Sequence, residues 1–268
     1  MDVAALHEGN RDAWDRTARA GYTGDIEARI HDLRGGVLNL MEPELRILAG
    51  LNEWCRRAIH LQCSHGQDAL SLWKYGAHEI IGVDISQPML DAAKLKSDAL
   101  DAPARWIRCD VLETPQDLDG TADLVYTGRG AICWMMDLSA WAAVVYRLLR
   151  PGGKLFLFEG HPLDTVWDTQ STGFVLRDAA SYFEPFPVSE QSFPRDAALR
   201  AEPNRAVHLT SRLWTLGETV TTLVRAGLHV ELLEEHPEPF WDQFKEIPTE
   251  ELKRLPHTFA LLMTKPSV

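Results

Sequence analysis

Between residues 57 and 161 the sequence alternates short apolar runs with amphipathic stretches of helical period. The apolar runs are "RAIHLQ", "EIIGVD", "ARWIRCD", "ADLVYTG" and "KLFLFEG"; the helical stretches are "GQDALSLWKYGA", "SQPMLDAAKLKSDAL" and "DLSAWAAVVYRLL". Short runs that stay apolar suit strands buried on both faces, which a parallel sheet between two helical layers provides. Strand, helix, strand at this spacing implies right-handed crossovers and a doubly wound α/β sheet. Ser86, with Pro88 in the first turn, starts one helix, Asp137 or Ser139 starts another, and "RPGG" stops the latter.

The flanks are organised differently. Residues 10–22, with Trp14 on one face, and residues 43–56, with Leu45, Leu48, Leu51 and Trp54, have helical spacing. Residues 162–206 break the rhythm; they are rich in Pro, Asp, Ser and aromatics (Trp167, Phe174, Tyr182, Phe183, Phe186, Phe193). Helical period returns at "LWTLGETVTTLVRAGL", where Thr215 and Glu218 form a capping box and Gly227 closes the helix. Two strand-like runs, "LHVELLEE" and "HTFALLMTK", follow. The expectation is one α/β domain over residues 1–268, with an N-terminal helical cap (1–56) and an insertion (162–206) serving as a lid.

With 45% hydrophobic residues in 268, the chain can bury a sizeable core. A net charge of −12 repels phosphate backbones and argues against nucleic-acid binding. No apolar run reaches the ~18–20 residues of a membrane span, and the N-terminus lacks the pattern of a signal peptide. Cys55, Cys63, Cys109 and Cys133 stand singly, which points to reduced thiols, a cytoplasmic setting and no metal site.

In an open parallel sheet, ligands bind beyond the carboxyl ends of the strands, near the point where strand order reverses. Those ends carry Gln62 to Gly66, Asp84, Asp110, Thr127 to Gly130, and Glu159 to His161. A carboxylate at Asp84 suits the two hydroxyls of a ribose. One at Asp110 suits the exocyclic amine of an adenine flanked by Val111 and Leu112. Either residue also reads as a plain turn or cap. Only Gly66 stands in the first turn; Gln62 and Ser64 occupy places where glycine would let the backbone approach a ligand.

In order, "LQCSHGQDALSLWKYGAHEIIGVDIS", "CDV", "ADLVYTGRGAICW", "LRPGGKLFLFEGHP" and a terminal strand pair resemble class I S-adenosylmethionine-dependent methyltransferases. The subgroup is one whose first loop reads LQC-x-x-GQD, and the resemblance spans roughly residues 58–161 and 212–266. It implies a Rossmann-like seven-stranded sheet of order 3-2-1-4-5-7-6, last strand antiparallel, and a bound S-adenosyl-L-methionine. It also implies that Leu61, Gln62, Cys63, Ser64 and Gly66 form the loop along methionine and ribose. Asp84, with Ile85 beside it, matches the ribose-binding acid, and Asp110, with Val111, the adenine contact. Thr127 and Gly128 match the loop near the methionine, and Tyr22 belongs to a segment that closes over the cofactor. His60 stands where many members carry an acid.

A dinucleotide site would need G-x-G-x-x-G to seat a pyrophosphate; Gln62 and the missing glycines disfavour it. S-adenosylmethionine has no phosphate and tolerates such a loop. The protein must then align an acceptor and, where needed, take its proton. His161 is a candidate base or a loop hydrogen-bonder, and Glu159 a partner for a substrate amine or for Arg129. Arg129 is a candidate partner for a substrate carboxylate. Trp134 is a candidate wall of the acceptor pocket, Trp141 is a wall or core residue, and the resemblance puts Trp14 with Tyr22 in the segment that closes over the cofactor. The aromatics of 162–206 are expected over the site mouth, which suggests a small, partly apolar or aromatic N-, O- or C-acceptor. The expected protein is a small-molecule methyltransferase, monomeric or homodimeric. The alternatives are a protein or RNA methyltransferase, or a non-catalytic cofactor-binding module.

Overall fold

The structure, a computed structural model, describes residues 2–178, 180–183 and 195–267. Helices α1 (Val3–Thr17), α2 (Ile26–Arg34), α3 (Glu42–Ile47) and α4 (Leu51–Trp54) precede strand β1 (Arg57–Leu61). Then α5 (Gln67–Tyr75), β2 (Glu79–Asp84), α6 (Gln87–Ala99), β3 (Ala104–Arg108), β4 (Ala122–Gly128), α7 (Leu138–Leu148) and β5 (Leu149–Gly160) follow. The rest holds α8 (Arg195–Ala201), α9 (Leu216–Arg225), β6 (His229–His236), α10 (Thr249–Leu252) and β7 (Thr258–Thr264).

The seven strands form one sheet of order β3-β2-β1-β4-β5-β7-β6. The first five pair in parallel, and β7 runs antiparallel between β5 and β6. Strand alternation sends Ile59 and Leu61 to one face, against Trp141, Val145 and Leu148 of α7. Ala58 faces the other way, with Leu48, Leu51, Leu72 and Tyr126. Trp141 is fully buried, so it is a core residue and not a wall of the site. Strand order reverses between β1 and β4, which places the ligand crevice at their carboxyl ends. Among the described residues, no helix is long and apolar enough to cross a membrane.

Local signals explain most helix ends. The Asp137 carboxylate accepts the Ala140 N–H at 2.9 Å and starts α7. Thr215 and Glu218 form the capping box of α9. Two helices differ from expectation. The stretch read over 10–22 begins at Val3, and its last five residues, Ala18–Tyr22, wind as a π-helix in which Gly21 has φ +95°. The stretch read over 43–56 is two helices, broken where Gly50 takes φ +74°.

The described aromatics of residues 162–206, Trp167, Phe174, Tyr182 and Phe183, do not line the cavity at the strand ends as expected. Trp167 packs on Phe174 with ring centroids 5.2 Å apart, and Phe174 stacks on His257 at 6.0 Å. Phe183 is 85% exposed. Phe186 and Phe193 lie outside the described residues. The cause is the anchor at His257, whose Nδ1 meets Asp164 Oδ1 at 2.6 Å and whose Nε2 meets the Leu252 carbonyl at 2.8 Å. The Leu252 carbonyl only accepts, so Nε2 donates; with Asp164 ionised Nδ1 donates as well and the ring carries a positive charge. Burial opposes that charge, but the bond to and charge of Asp164, helped by the Leu252 carbonyl, outweigh it and raise the His257 pKa.

A raised histidine pKa contributes stability that is complete below the ordinary value and is lost as pH rises through the folded-state value. The Tm advantage of wild type over His257→Gln is therefore expected to shrink by on the order of 2 °C between pH 6 and pH 9. Scanning calorimetry checks this, and an advantage that grows with pH would contradict the imidazolium.

Candidate active site

A cavity of about 390 Å³ lies at the carboxyl ends of β1, β2 and β4. Its floor is the loop after β1. Gln62 and Ser64 take φ +57° and +49°, the left-handed region that glycine occupies at little expense. Each non-glycine residue there costs about 1–3 kcal/mol and persists only where its surroundings hold it. Here the Ser64 N–H donates to Asp84 Oδ2 at 2.7 Å, and Gln62 Nε2 donates to the Ala131 carbonyl at 2.6 Å. The loop keeps the glycine geometry without the glycines. Arg129 (φ +58°) completes a set: three of the four non-glycine residues with positive φ among the described residues line this cavity.

Gly66 acts differently from expectation. A Cβ there would lie 2.6 Å from the Trp106 ring and 2.7 Å from Ala93 Cβ, so its bareness serves packing of the loop onto β3 and α6. It does not line the cavity, and neither do the buried Leu61 and Thr127. Gln62, Cys63, Ser64, Asp84, Ile85, Asp110, Val111, Gly128 and Tyr22 do. At Gly128 a Cβ would fall 2.1 Å from the Phe158 carbonyl oxygen, so only glycine fits the turn out of β4.

The two strand-end carboxylates are fixed in place. Asp84 also accepts the Ser86 N–H at 2.9 Å, while the Ser86 hydroxyl makes no capping bond to α6. Burial pushes its carboxyl up to about 6 against the pull of those backbone donors. Asp110 accepts from Leu112 N–H at 2.9 Å and from His7 Nδ1 at 2.5 Å. Burial would raise its pKa, but the bonds from His7 and Leu112 hold it below the usual value. His7 Nε2 accepts the Met136 N–H at 3.2 Å, so the ring hydrogen sits on Nδ1 and is donated to Asp110.

Of the three candidate catalytic residues, only Arg129 lines the cavity. Its guanidinium pairs with buried Glu44 and lies 3.5 Å from Asp68. Glu159 makes no pair with Arg129; its carboxylate lies beneath the loop after β4, accepting the N–H groups of Gly130 (2.6 Å), Ala131 (2.8 Å) and Ile132 (2.8 Å). His161 lies outside the cavity; Nδ1 accepts from Leu163 N–H at 3.1 Å and Nε2 is 2.9 Å from Glu235 Oε1. His60 lines the cavity, and burial brings its pKa down to about 4, so it is neutral.

Part of the lining is aromatic: Trp14, Trp134, Phe240 and Trp241. Of these, Phe240 and Trp241 were missed by sequence reasoning, as were His7 and His65. Three buried polar atoms of the lining residues, Gln62 Oε1, His60 Nδ1 and Arg129 Nε, have no hydrogen-bond partner among the described residues. Two strand-end carboxylates, three unpaired polar atoms and an apolar edge at Ile85 and Val111 fit an adenosine that carries an amino-acid chain.

Residues 58–153 match the family described as "Methyltransferase domain". The chain is 32% identical over 162 residues to a demethylmenaquinone methyltransferase of Thermus thermophilus, an alignment covering 54% of this chain and 71% of that protein. Among solved structures, an S-adenosylmethionine-dependent methyltransferase from Mesorhizobium loti is similar with TM-score 0.59 and 22% identity, over 83% of this chain and 96% of that one. A geranyl diphosphate C-methyltransferase from Streptomyces coelicolor A3(2), solved with S-adenosyl-L-homocysteine, has TM-score 0.56 and 14% identity, over 83% and 75% of the two chains. With its sheet order, its strand-end acids and its 32% identical relative, the chain belongs to the class I S-adenosylmethionine-dependent methyltransferases.

Proposed function

We propose that the protein methylates a small, partly apolar or aromatic molecule seated against Trp14, Trp134, Phe240 and Trp241. The observation that carries this reading is that aromatic lining, which shares one cavity of about 390 Å³ with the loop of Gln62 to Ser64. A cavity of this size suits small ligands and leaves a folded protein surface or an RNA duplex no place to enter. The single free cysteines and the acidic charge favour a cytoplasmic setting and disfavour RNA.

In this reading Asp84 holds the ribose hydroxyls, Asp110 the adenine amine, and Gln62, Cys63, Ser64 and Gly128 the methionine end. Ile85 and Val111 flank the purine, and Tyr22 closes the entrance. S-adenosylmethionine supplies a methyl group already activated as a sulfonium. The chain's part is to align the acceptor, exclude water with its indole and phenyl faces, and hold the acceptor's polar end beside Arg129. Neutral His60, with its pKa near 4, is a poor proton acceptor at neutral pH and serves as a hydrogen-bonding group. The site therefore suits an atom that is nucleophilic without a strong base, such as an uncharged amine.

Calorimetry tests the cofactor contacts. Asp84→Asn is expected to weaken S-adenosylhomocysteine binding by about 1.5–3 kcal/mol, and His7→Ala, which removes the donor that orients Asp110, by about 1 kcal/mol. Unchanged affinity in both would remove these roles. Methyl-labelled S-adenosylmethionine with a size-fractionated cell extract tests the acceptor class. Label is expected in the small-molecule fraction, and Trp134→Ala is expected to raise the KM of that acceptor about tenfold while leaving cofactor affinity unchanged. Label confined to protein or RNA would refute the proposal, and binding without transfer would identify a cofactor-binding module.

A further inference from the structure

Helix α6 turns Met89, Ala92, Ala93 and Lys96 inward at spacings of three and four residues, so a lysine stands on the apolar stripe. Lys96 is fully buried. Its Nζ lies 2.9 Å from His65 Nδ1 and 3.1 Å from Gln67 Oε1. Among the described residues, no carboxylate comes within ion-pair distance of Lys96, or of Arg29, a cavity-lining residue whose charge acts on both Lys96 and His65. Asp68 and the Cys63 thiol also face Lys96 from farther off, and the Asp68 carboxylate is engaged by Asn39 at 2.5 Å. A buried cation without a counter-ion is costly, and natural proteins keep one where a ligand supplies the opposite charge.

His65 carries this charge to the cavity wall. When charged, Lys96 can only donate, so His65 Nδ1 then accepts and the ring hydrogen sits on Nε2. Burial and the adjacent Lys96 and Arg29 charges hold His65 down to about 3, so the ring stays neutral and keeps this tautomer. Among the described residues Nε2 has no hydrogen-bond partner, and His65 lines the cavity. The cavity is thus polarised: Asp84 and Asp110 at the strand ends, and Arg29, His65 and the Lys96 behind it at the start of α5.

We propose that Lys96, acting through His65 and together with Arg29, forms the subsite for the carboxylate of the bound cofactor. The carboxylate is the only anionic group of S-adenosylmethionine, and the corner hangs on the same loop that carries Gln62 and Ser64 into the cavity. Lys96 is a positioning residue: it fixes which ring nitrogen of His65 donates and puts a positive charge behind that donor. The inference rests on the assignment of this cavity to the cofactor. Burial, reinforced by the Arg29 charge, has brought the Lys96 pKa down to about 7, so an arriving carboxylate draws a proton onto the amine.

Calorimetry compares S-adenosylmethionine with its decarboxylated analogue, which keeps the sulfonium, the amine and the adenosine. Wild type is expected to bind the parent about tenfold more tightly. Lys96→Met is expected to weaken the parent about tenfold and the analogue less than about twofold. At pH 8, in two buffers of different ionisation enthalpy, wild type is expected to take up protons on binding the parent and not on binding the analogue. The wild-type measurements stand even if Lys96→Met fails to fold. Equal wild-type affinities for the two ligands, equal losses in the variant, or parent binding without proton uptake would each overturn the inference. Failure of wild type to bind either ligand would overturn the cofactor assignment, and this inference with it.

Discussion

The carboxylate of Asp84 holds the site together. By accepting the Ser64 and Ser86 N–H groups it joins three pieces of chain: the loop after β1, the end of β2 and the first turn of α6. That junction, with the bond from Gln62 to the Ala131 carbonyl, is what lets Ser64 and Gln62 stay in backbone conformations that each cost about 1–3 kcal/mol. A glycine-rich loop would adopt this shape on its own; a glycine-poor one needs the clamp. The same residue that is proposed to hold ribose therefore first holds the floor on which the ligand rests.

Much of this was legible in the sequence, and the reason is local. Buried parallel strands appear as unbroken apolar runs, and the residue ending each run faces the crevice, so Asp84, Asp110 and Gly128 could be placed by counting. What stayed hidden depends on contacts far apart in the chain. His7 and Asp110 are 103 residues apart, and nothing in either neighbourhood announces the other. Glu159 reads as a strand-end acid of the catalytic type, yet three backbone donors from a folded-back loop use it up. Of the aromatics of 162–206, Trp167 and Phe174 were expected at the site mouth but are drawn aside by the His257–Asp164 anchor. Lys96 had a readable signal: a charge on the apolar stripe of its helix.

The N-terminal helix is tied to the far end of the insertion as firmly as to the sheet. Arg16, fully buried, donates to the carbonyls of Glu202, Arg205 and Ala206, each at 2.9 Å. Asn10 exchanges two hydrogen bonds of 2.8 Å with the backbone of Thr210. Gly9 completes the fit: a Cβ there would lie 2.6 Å from the His208 carbonyl oxygen. The element that brings His7, Asn10, Trp14 and Tyr22 to the cavity is therefore braced by a segment almost two hundred residues later, with His7 its hydrogen-bonded link to the cavity carboxylate Asp110.

Ala131 connects the two halves of the cavity through a single residue. Its N–H goes to Glu159 and its carbonyl receives the Gln62 amide, so the loop after β4 and the loop after β1 share one rigid link. Diversification of this scaffold is channelled by that link. Side chains that only line the cavity, such as Trp134 and Trp241, can change without breaking that link. The backbone from Gly130 to Ile132 cannot, because reshaping it for a new guest would also unseat the floor beneath the methyl donor.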